Sequence, residues 1–422
     1  MTRGAVAWLA LVGLSLAGCT GQIGGTPRTI GTIAIGADLP LSGADGPDGT
    51  PARNAIELAV KQAGRVCGAN RHQDVCLDLQ AVSDDDVSQG VHDPAKGAKN
   101  IQTLADDPRV VAVVGPLYDS LARSELPVAN TAQLTMVSPA TTNECLTQEP
   151  PDGHCQGLAA RLRPHGPNNF FRVMTTQLVE GAAGADLAFK TLGKRRGFVV
   201  NDQTPFGHGI ATTFADRFVQ DGGAIVDPSD LGGFDPSQSP AFGSRIRRAA
   251  ELGADVVYFA GADVYQAASL RREMAAQMPR VPLIGSDRLA NDQFAKSAGA
   301  SARGSYYTVV GPNPSSLRSA RALIRDYQKA YGQAVGTYGL QAFDATNLVI
   351  AAIARAIDDA GGQRPTRAQV MIEVSRTTAF SGAMGVTSFD SAGDTSLKLV
   401  SAYQWLAESD PAGQFAAQIT IT

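Results

Sequence analysis

The sequence predicts an α/β fold with a mostly parallel sheet, and three observations carry that prediction. Short, nearly all-apolar runs rich in β-branched residues recur, each ending at glycine or polar residues; such runs read as strands buried on both faces. Stretches with apolar residues at helical spacing separate them, so the chain reads as successive βα units with right-handed crossovers. The same grammar starts afresh at Phe170-Phe171-Arg172-Val173, and 422 residues at 44 % apolar can bury one large or two ordinary cores. Two domains follow from length and repetition together.

The first residues are a targeting segment. Arg3 supplies a positive start, Ala5 to Ala17 an apolar run too short to span a bilayer, and Leu16-Ala17-Gly18 a small-residue cleavage site directly before Cys19. This resembles a bacterial lipoprotein signal. The resemblance implies residues 1–18 as signal peptide, acylation of Cys19, and 19–30 as a polar tether holding the protein at a membrane surface, with about 0.8 kcal/mol per buried methylene. The alternative is an ordinary secretory signal with a chance cysteine. A net charge of -4, without basic runs or interleaved aromatics, excludes an electrostatic footprint for nucleic acid.

Thr32 to Ala37 reads as the first strand, with Asp38-Leu39-Pro40-Leu41-Ser42-Gly43 turning off its end. A helix follows over Pro51 to Arg65, its apolar face formed by Ala52, Ala55, Ile56, Ala59, Val60 and Ala63. Cys76 to Val82 is a strand ending at Ser83-Asp84-Asp85-Asp86, an acidic corner that reads as turn and cap residues, with calcium as the rival. After a helix over Lys96 to Ala105, the strand Val110 to Gly115 delivers Pro116-Leu117-Tyr118-Asp119-Ser120, and Leu134 to Val137 delivers Ser138-Pro139-Ala140-Thr141-Thr142-Asn143. Ligands in open α/β sheets bind outside the strands' carboxyl ends, so Asp119, Ser120 and Thr142 are the first candidate site residues. The competing role for Asp119 and Ser120 is to cap the following helix.

Four cysteines remain, Cys67, Cys76, Cys145 and Cys155, in a chain read as exported, where two local disulfides are expected. Zinc, with His72 and His154 nearby, is the rival, but neither pair has the tight spacing of a structural site. In the second half, Gln177 to Leu192 reads as a helix, Gly197 to Val200 as a strand before the Asn201-Asp202 to Phe206-Gly207 loop, and Ile210 to Gln220 as a helix. Asp255 to Ala260 leads to Gly261-Ala262-Asp263, and Val281 to Gly285 to Ser286-Asp287-Arg288. Ser305 to Val310 is a strand, Ser315 to Tyr331 and Tyr338 to Ile357 are helices, a third follows Pro365, and Lys398 to Trp405 is a late strand. Asp344 and Arg355 mark the long apolar helix as a core helix.

No nucleophile elbow, P-loop, H-E-x-x-H pair or G-x-G-x-x-G fingerprint occurs, and the five histidines mostly sit in polar loops; only His208 lies near a cleft loop, where an exposed or cap role is expected. Neither an enzyme nor a cofactor is expected.

These pieces together resemble the leucine/isoleucine/valine-binding proteins of bacterial ABC importers, which have the type I periplasmic binding protein fold. The residues that carry the likeness, over Thr32 to Thr422, are Ile35-Gly36 with Leu41-Ser42-Gly43, Val114-Gly115-Pro116, Ser138 to Asn143, Phe171-Arg172, Asn201-Asp202 to Phe206-Gly207, and Ile284-Gly285-Ser286-Asp287. The resemblance implies two doubly wound, mostly parallel three-layer lobes joined by a three-segment hinge, 31–173 with 311–385 and 174–310 with 386–422. It implies a ligand between the lobes, with its carboxylate on the Ala140 and Thr142 backbone and the Thr142 hydroxyl, and its ammonium on Asp287. Disagreements with the family pattern matter too. Asp119 stands where a carboxylate-binding serine is common, Asp48 and Ala262 stand where aromatics often wall the pocket, and Phe206 replaces a tyrosine. Asp48, Asp119, Asp263 and Asp287 sharing a cleft would favour a cationic solute: a basic amino acid, an amide or a polyamine. The expectation is therefore a lipid-anchored, monomeric solute-binding protein that delivers an amino acid or related small polar solute to an ABC permease and its ATPase. A ligand sensor of the same fold reporting to a membrane receptor or kinase is the alternative.

Overall fold

In the computed structural model, which describes residues 27–150, 153–235, 242–290, 292–406 and 413–422, the apolar runs pair into two separate large sheets. Cys19 and the targeting segment lie outside the described residues. The chain starts with β1 (Arg28–Leu39), α1 (Gly46–Ala63), β2 (Arg65–Cys67), β3 (Val75–Asp85), a hairpin of β4 (Val87–Ser88) and β5 (Val91–His92), and α2 (Pro94–Asp106). It continues through β6 (Val110–Val114), α3 (Asp119–Thr131), β7 (Thr135–Ser138), the single turn α4 (Leu158–Arg161) and β8 (Phe170–Arg172). The first sheet runs β2-β3-β1-β6-β7-β8, parallel except for β2 against β3.

The second sheet takes β9 (Arg196–Asn201), β10 (Ala224–Ile225), β11 (Val256–Ala260), β12 (Leu283–Gly285) and β13 (Tyr306–Val310). Around these strands lie α5 (Val179–Asp186), α6 (Pro205–Gln220), α7 (Phe242–Glu251), α8 (Val264–Gln277) and α9 (Asp292–Ala298). The chain then returns to the first sheet as α10 (Arg321–Tyr331), α11 (Gly339–Asp359), α12 (Arg367–Ser375) and a small hairpin of β14 (Phe380–Ser381) and β15 (Val386–Thr387). It ends as β16 (Lys398–Gln404) and β17 (Gln414–Ile421), antiparallel at the edge of the second sheet, in the order β10-β9-β11-β12-β13-β16-β17.

Each sheet is covered on both faces, which is why its strands read as continuous apolar runs and not as alternating ones. On one face of the first sheet Ile35 and Ile33 pack with Ile56 of α1 and Leu348 and Ile353 of α11; on the other Val113 packs with Ile101 of α2 and Leu126 of α3. The second sheet sits between Phe242, Met274 and Phe294 on one side and Ala183, Ile210 and Phe214 on the other. Fully burying one such aliphatic side chain contributes about 1.5–3 kcal/mol. The expected fold class, two doubly wound α/β lobes, is therefore what forms. α11 is long and apolar enough to cross a membrane by length and composition, yet 67 % of its most apolar window is buried inside the first lobe.

Local details differ from expectation where long-range contacts intervene. The predicted helix over Gln177 to Leu192 breaks into α5 and a π turn, Leu187–Thr191, and the helix predicted from Ser315 begins only at Arg321, after a 3-10 turn at Pro314–Ser316. Residues 386–397, expected with the second lobe, make their contacts with the first. Asp394 pairs with Arg172, Asn168 Nδ2 donates to the Ala392 carbonyl, and Phe389 lies against Phe171. Both expected disulfides are present, Cys67–Cys76 across the β2–β3 pair and Cys145–Cys155 closing the loop after β7.

The acidic corner after β3 divides into surface and core. Asp85 is a turn former, accepting from the Leu41 and Val87 amides and the Ser42 hydroxyl. Asp86 is fully buried, as are Asp38 at the end of β1 and Glu125 on α3; Gly97 of α2 packs so close that a Cβ there would lie 2.7 Å from Glu125 Oε1. Asn100 donates to Asp38, but no cation lies within ion-pair distance of these three carboxyls among the described residues. Burial pushes Asp38 up to about 8 and Asp86 up to about 7, and drives Glu125 well above the carboxylate range, with Asp38 reinforcing it.

These groups hold protons that the unfolded chain releases near pH 4, so their stabilising contribution is complete below that pH and is lost as pH rises through 7 and 8. Urea unfolding between pH 5 and 8 should show stability falling by about 1.4 kcal/mol per pH unit for each such proton. Glu125→Gln should flatten that slope by about one proton; an unchanged slope would mean that Glu125 is ionised in the fold. Replacing Cys67 and Cys76 together by serine should cost about 2–3 kcal/mol, by freeing a short loop in the unfolded chain.

Candidate ligand-binding cleft

Parallel strands bring their carboxyl-terminal loops to one end of each sheet, and the candidate residues lie on those loops. At the first, Gly115 follows β6 with φ 146°, and a Cβ there would lie 2.7 Å from the Asp38 carbonyl oxygen, so the corner requires glycine. Asp119 then opens α3. Its Oδ1 accepts from the amides of Thr142 and Asn143, each at 3.2 Å, and so fastens the loop after β6 to the loop after β7. Burial raises the Asp119 carboxyl, while these amides and Arg172 oppose the shift. Ser138 acts similarly within the second loop, its Oγ accepting from the Ala140 amide at 3.2 Å and the Thr141 amide at 3.0 Å.

This arrangement changes the roles expected from sequence. Asp119 is not a side-chain cap for α3, and the Ala140 and Thr142 amides assigned to a ligand carboxylate are engaged inside the protein. The Thr142 hydroxyl has no partner among the described residues, and the Thr142 carbonyl accepts from the Gln177 amide at 2.9 Å, where the chain crosses between the sheets. Ser120 is exposed on the first turn of α3.

The second lobe repeats the device. Asp202, after β9, accepts from the Thr204 amide and hydroxyl through Oδ1 and from the Ala262 amide through Oδ2 at 3.0 Å. Ala262 therefore contributes backbone to this staple, its side chain being exposed. Asp263, expected as a cleft acid, caps α8 instead: its Oδ1 accepts from the Tyr265 amide at 2.7 Å and the Gln266 amide at 3.1 Å. Phe206 lies in the first turn of α6, with the Arg288 guanidinium 5.5 Å from its ring centre. His208 is exposed on the same helix.

Beyond burial, three of the aspartates raise the phenol of one tyrosine, Tyr338. Asp48 accepts from the Tyr118 hydroxyl at 3.0 Å, and the His92 ring stacks on Tyr118 at 4.1 Å while its Nδ1 lies 2.8 Å from Asp45. Tyr338, just before α11, has its phenol pushed up to about 12 by burial, then by the fields of Asp48, Asp287 and Asp119. Asp287 keeps 47 % of its side chain open to water, yet surrounding protein raises its carboxyl, with Arg288 opposing. Beside it lies Glu180 of α5, 1 % exposed; burial drives its carboxyl well above the usual range and the Asp287 charge adds to that, while the Asp287 and Val310 amides oppose the shift. The buried Tyr258 hydroxyl, which has no hydrogen-bond partner among the described residues, feels the same two acids. Sequence reading missed Tyr118, Tyr338, Glu180 and Arg288. Tyr118 and Tyr338 each directly precede a helix at the cleft, a signal that was available; Glu180 reads as an ordinary helix position.

Asp119→Ala should leave two loop amides without an acceptor, costing about 1–3 kcal/mol in urea unfolding and loosening the 140–143 loop. Asp119→Asn keeps an acceptor oxygen and should lose clearly less. Equal stability of the two variants would argue against the staple.

Residues 32–409 match the periplasmic binding protein family. A Leu/Ile/Val-binding protein homolog from Brucella melitensis is 24 % identical over 380 residues, 90 % of this chain and 91 % of that protein. A branched-chain amino acid transporter substrate binding protein from Streptococcus pneumoniae, solved with isoleucine, superposes with a TM-score of 0.59 at 19 % identity, covering 92 % of this chain and 99 % of that one. A solute binding protein from Rhodopseudomonas palustris, solved with 3,4-dihydroxybenzoic acid, has a TM-score of 0.57 at 18 % identity, covering 92 % and 97 %. The family is one of solute-binding proteins that act outside the cytoplasm. That match over nearly the whole fold leads to one conclusion: the chain belongs to the periplasmic binding protein family, with the Leu/Ile/Val-binding proteins among its relatives.

Proposed function

We propose that this solute-binding protein captures a small cationic solute, a basic amino acid or an amine derived from one, by closing its two lobes on it. The observation that carries the reading is the convergence on Tyr338 of Asp48 and Asp119 from one lobe and Asp287 from the other, while the Ala140 and Thr142 amides are already engaged. Asp287 and Asp48 are the groups that would hold the cation. Asp119 holds the loop and adds its field, and Phe206 and Tyr338 would wall the apolar part of the ligand. A unit charge 4 Å from a carboxylate gains about 4 kcal/mol at an effective dielectric of 20, and closure that removes water strengthens the contact further.

The lobes in this reading are 31–173 with 311–397 and 174–310 with 398–422, with hinge motion at the three crossings. Ligand shifts an open-to-closed equilibrium only by its differential affinity for the closed state. An acylated Cys19 would hold the protein, as a monomer, at the membrane surface, where the closed form docks on an ABC permease that is driven by its ATPase; the cleavage motif at Leu16 to Cys19 supports this.

A thermal-shift screen followed by calorimetry should find arginine, lysine, agmatine or putrescine binding more tightly than leucine, isoleucine or benzoate. Asp287→Asn should weaken the best cation at least about tenfold, or 1.4 kcal/mol. Tighter binding of leucine or benzoate than of every cation would sink the reading, as would a cation that binds unchanged to an Asp119→Asn, Asp287→Asn double variant.

A further inference from the structure

At the opposite end of the second lobe, where β9, β12 and β13 begin, a cavity of about 270 Å³ is lined by Lys194, Arg271, Arg280 and Arg303 together with Val281 and Tyr306. No carboxylate lines it, and none of the four cations is ion-paired among the described residues. The four come from separate places: the turn before β9, helix α8, the loop before β12 and the loop before β13. They are therefore not the solvated face of one helix. In a chain whose net charge is -4, this is a local reversal of sign.

Arg271 is the built part of the pocket. It is 4 % exposed, and its guanidinium is fixed by donating to the carbonyls of Ser301 at 2.7 Å, Arg303 at 3.0 Å and Val281 at 3.4 Å. Those carbonyls satisfy three of its five N–H groups but carry no net charge to balance it. Burial lowers its affinity for the proton, the consequence of placing a cation there without a counter-ion. Asp255, at the same end of the sheet, is occupied by the amides of Arg195 and Arg196.

We propose that this pocket binds the phosphate group of a phosphate-bearing ligand. A carboxylate would bring one charge to four cations, whereas a phosphate monoester brings about -1.5 to -2 at neutral pH, with three acceptor oxygens suited to guanidinium forks. The cavity has room for one such group together with part of the molecule that carries it. The chemistry has two sources: a soluble phosphate monoester, or the monoester headgroup of a phospholipid at the membrane surface. The site lies away from the cleft and does not depend on what the cleft binds.

The test uses the full chain carrying Cys19→Ser, so that no acyl group can enter a vesicle. Sodium phosphate is titrated against sodium chloride of matched ionic strength by calorimetry and thermal shift. The chain is also floated with phosphatidylcholine vesicles with and without phosphatidic acid, whose headgroup is a phosphate monoester. Arg280 and Arg303 are exposed, so the Arg280→Glu, Arg303→Glu variant should keep its unfolding temperature in chloride. Phosphate should raise the unfolding temperature of the parent chain, and the variant should bind it at least about tenfold more weakly. Phosphate binding without flotation assigns the site to a soluble phosphate compound; flotation that free phosphate competes away assigns it to a headgroup. The proposal is overturned if neither phosphate nor anionic vesicles bind, or if the folded variant binds as the parent does.

Discussion

The frame of the cleft depends on one buried ion pair. Arg172, at the end of β8 and fully buried, places Nε 2.5 Å from Asp394 Oδ1. Its other nitrogens donate to the Asn143 carbonyl and the Thr147 hydroxyl, and Asp394 also accepts from Thr147 and Gln148. A buried pair is stable only when its remaining donors and acceptors are met, because each ion loses several kcal/mol of hydration. Here the partners that meet them are the candidate binding loop, the loop closed by Cys145–Cys155, and the last segment before the chain returns to the second sheet. One guanidinium thus sets the relative positions of the three.

Aspartates then organise the loops. Asp119 and Asp202 each tie two strand-end loops together through backbone amides, one in each lobe. Away from the cleft, Asp344 accepts from the Ala383 and Met384 amides and Asp358 from those of residues 70–72. A carboxylate spent on amides is a structural part, since its charge is already solvated by fixed donors. Asp287 differs in that it ties no second loop: nearly half of its side chain is open to water and Arg288 Nε lies 3.6 Å from its Oδ1.

Much of the fold was legible because its cause is local. Strands covered on both faces need continuous apolar runs, helices packed on them need a stripe at their own period, and both are written in neighbouring residues. β6, β7 and β11 fell within a residue or two of expectation for that reason. The short edge strands β2 and β10 and the last strand, β17, were missed. An edge strand buries little, and its pairing comes from a partner elsewhere in the chain.

For the site, the sequence by itself determined which loops meet, since parallel strands deliver their ends to one side whatever the loops contain. It put Asp119 and Thr142 on neighbouring loops, and Phe206 and Asp287 just after strands of the second sheet. Only the tertiary structure decided what those groups face. It turned Asp119 onto amides, made Asp263 a cap, joined residues 386–397 to the first lobe, and set Glu180 beneath Asp287. A carboxylate's role depends on which donors, cations and water lie within a few ångströms. Those neighbours come from segments hundreds of residues apart, so no local pattern encodes them.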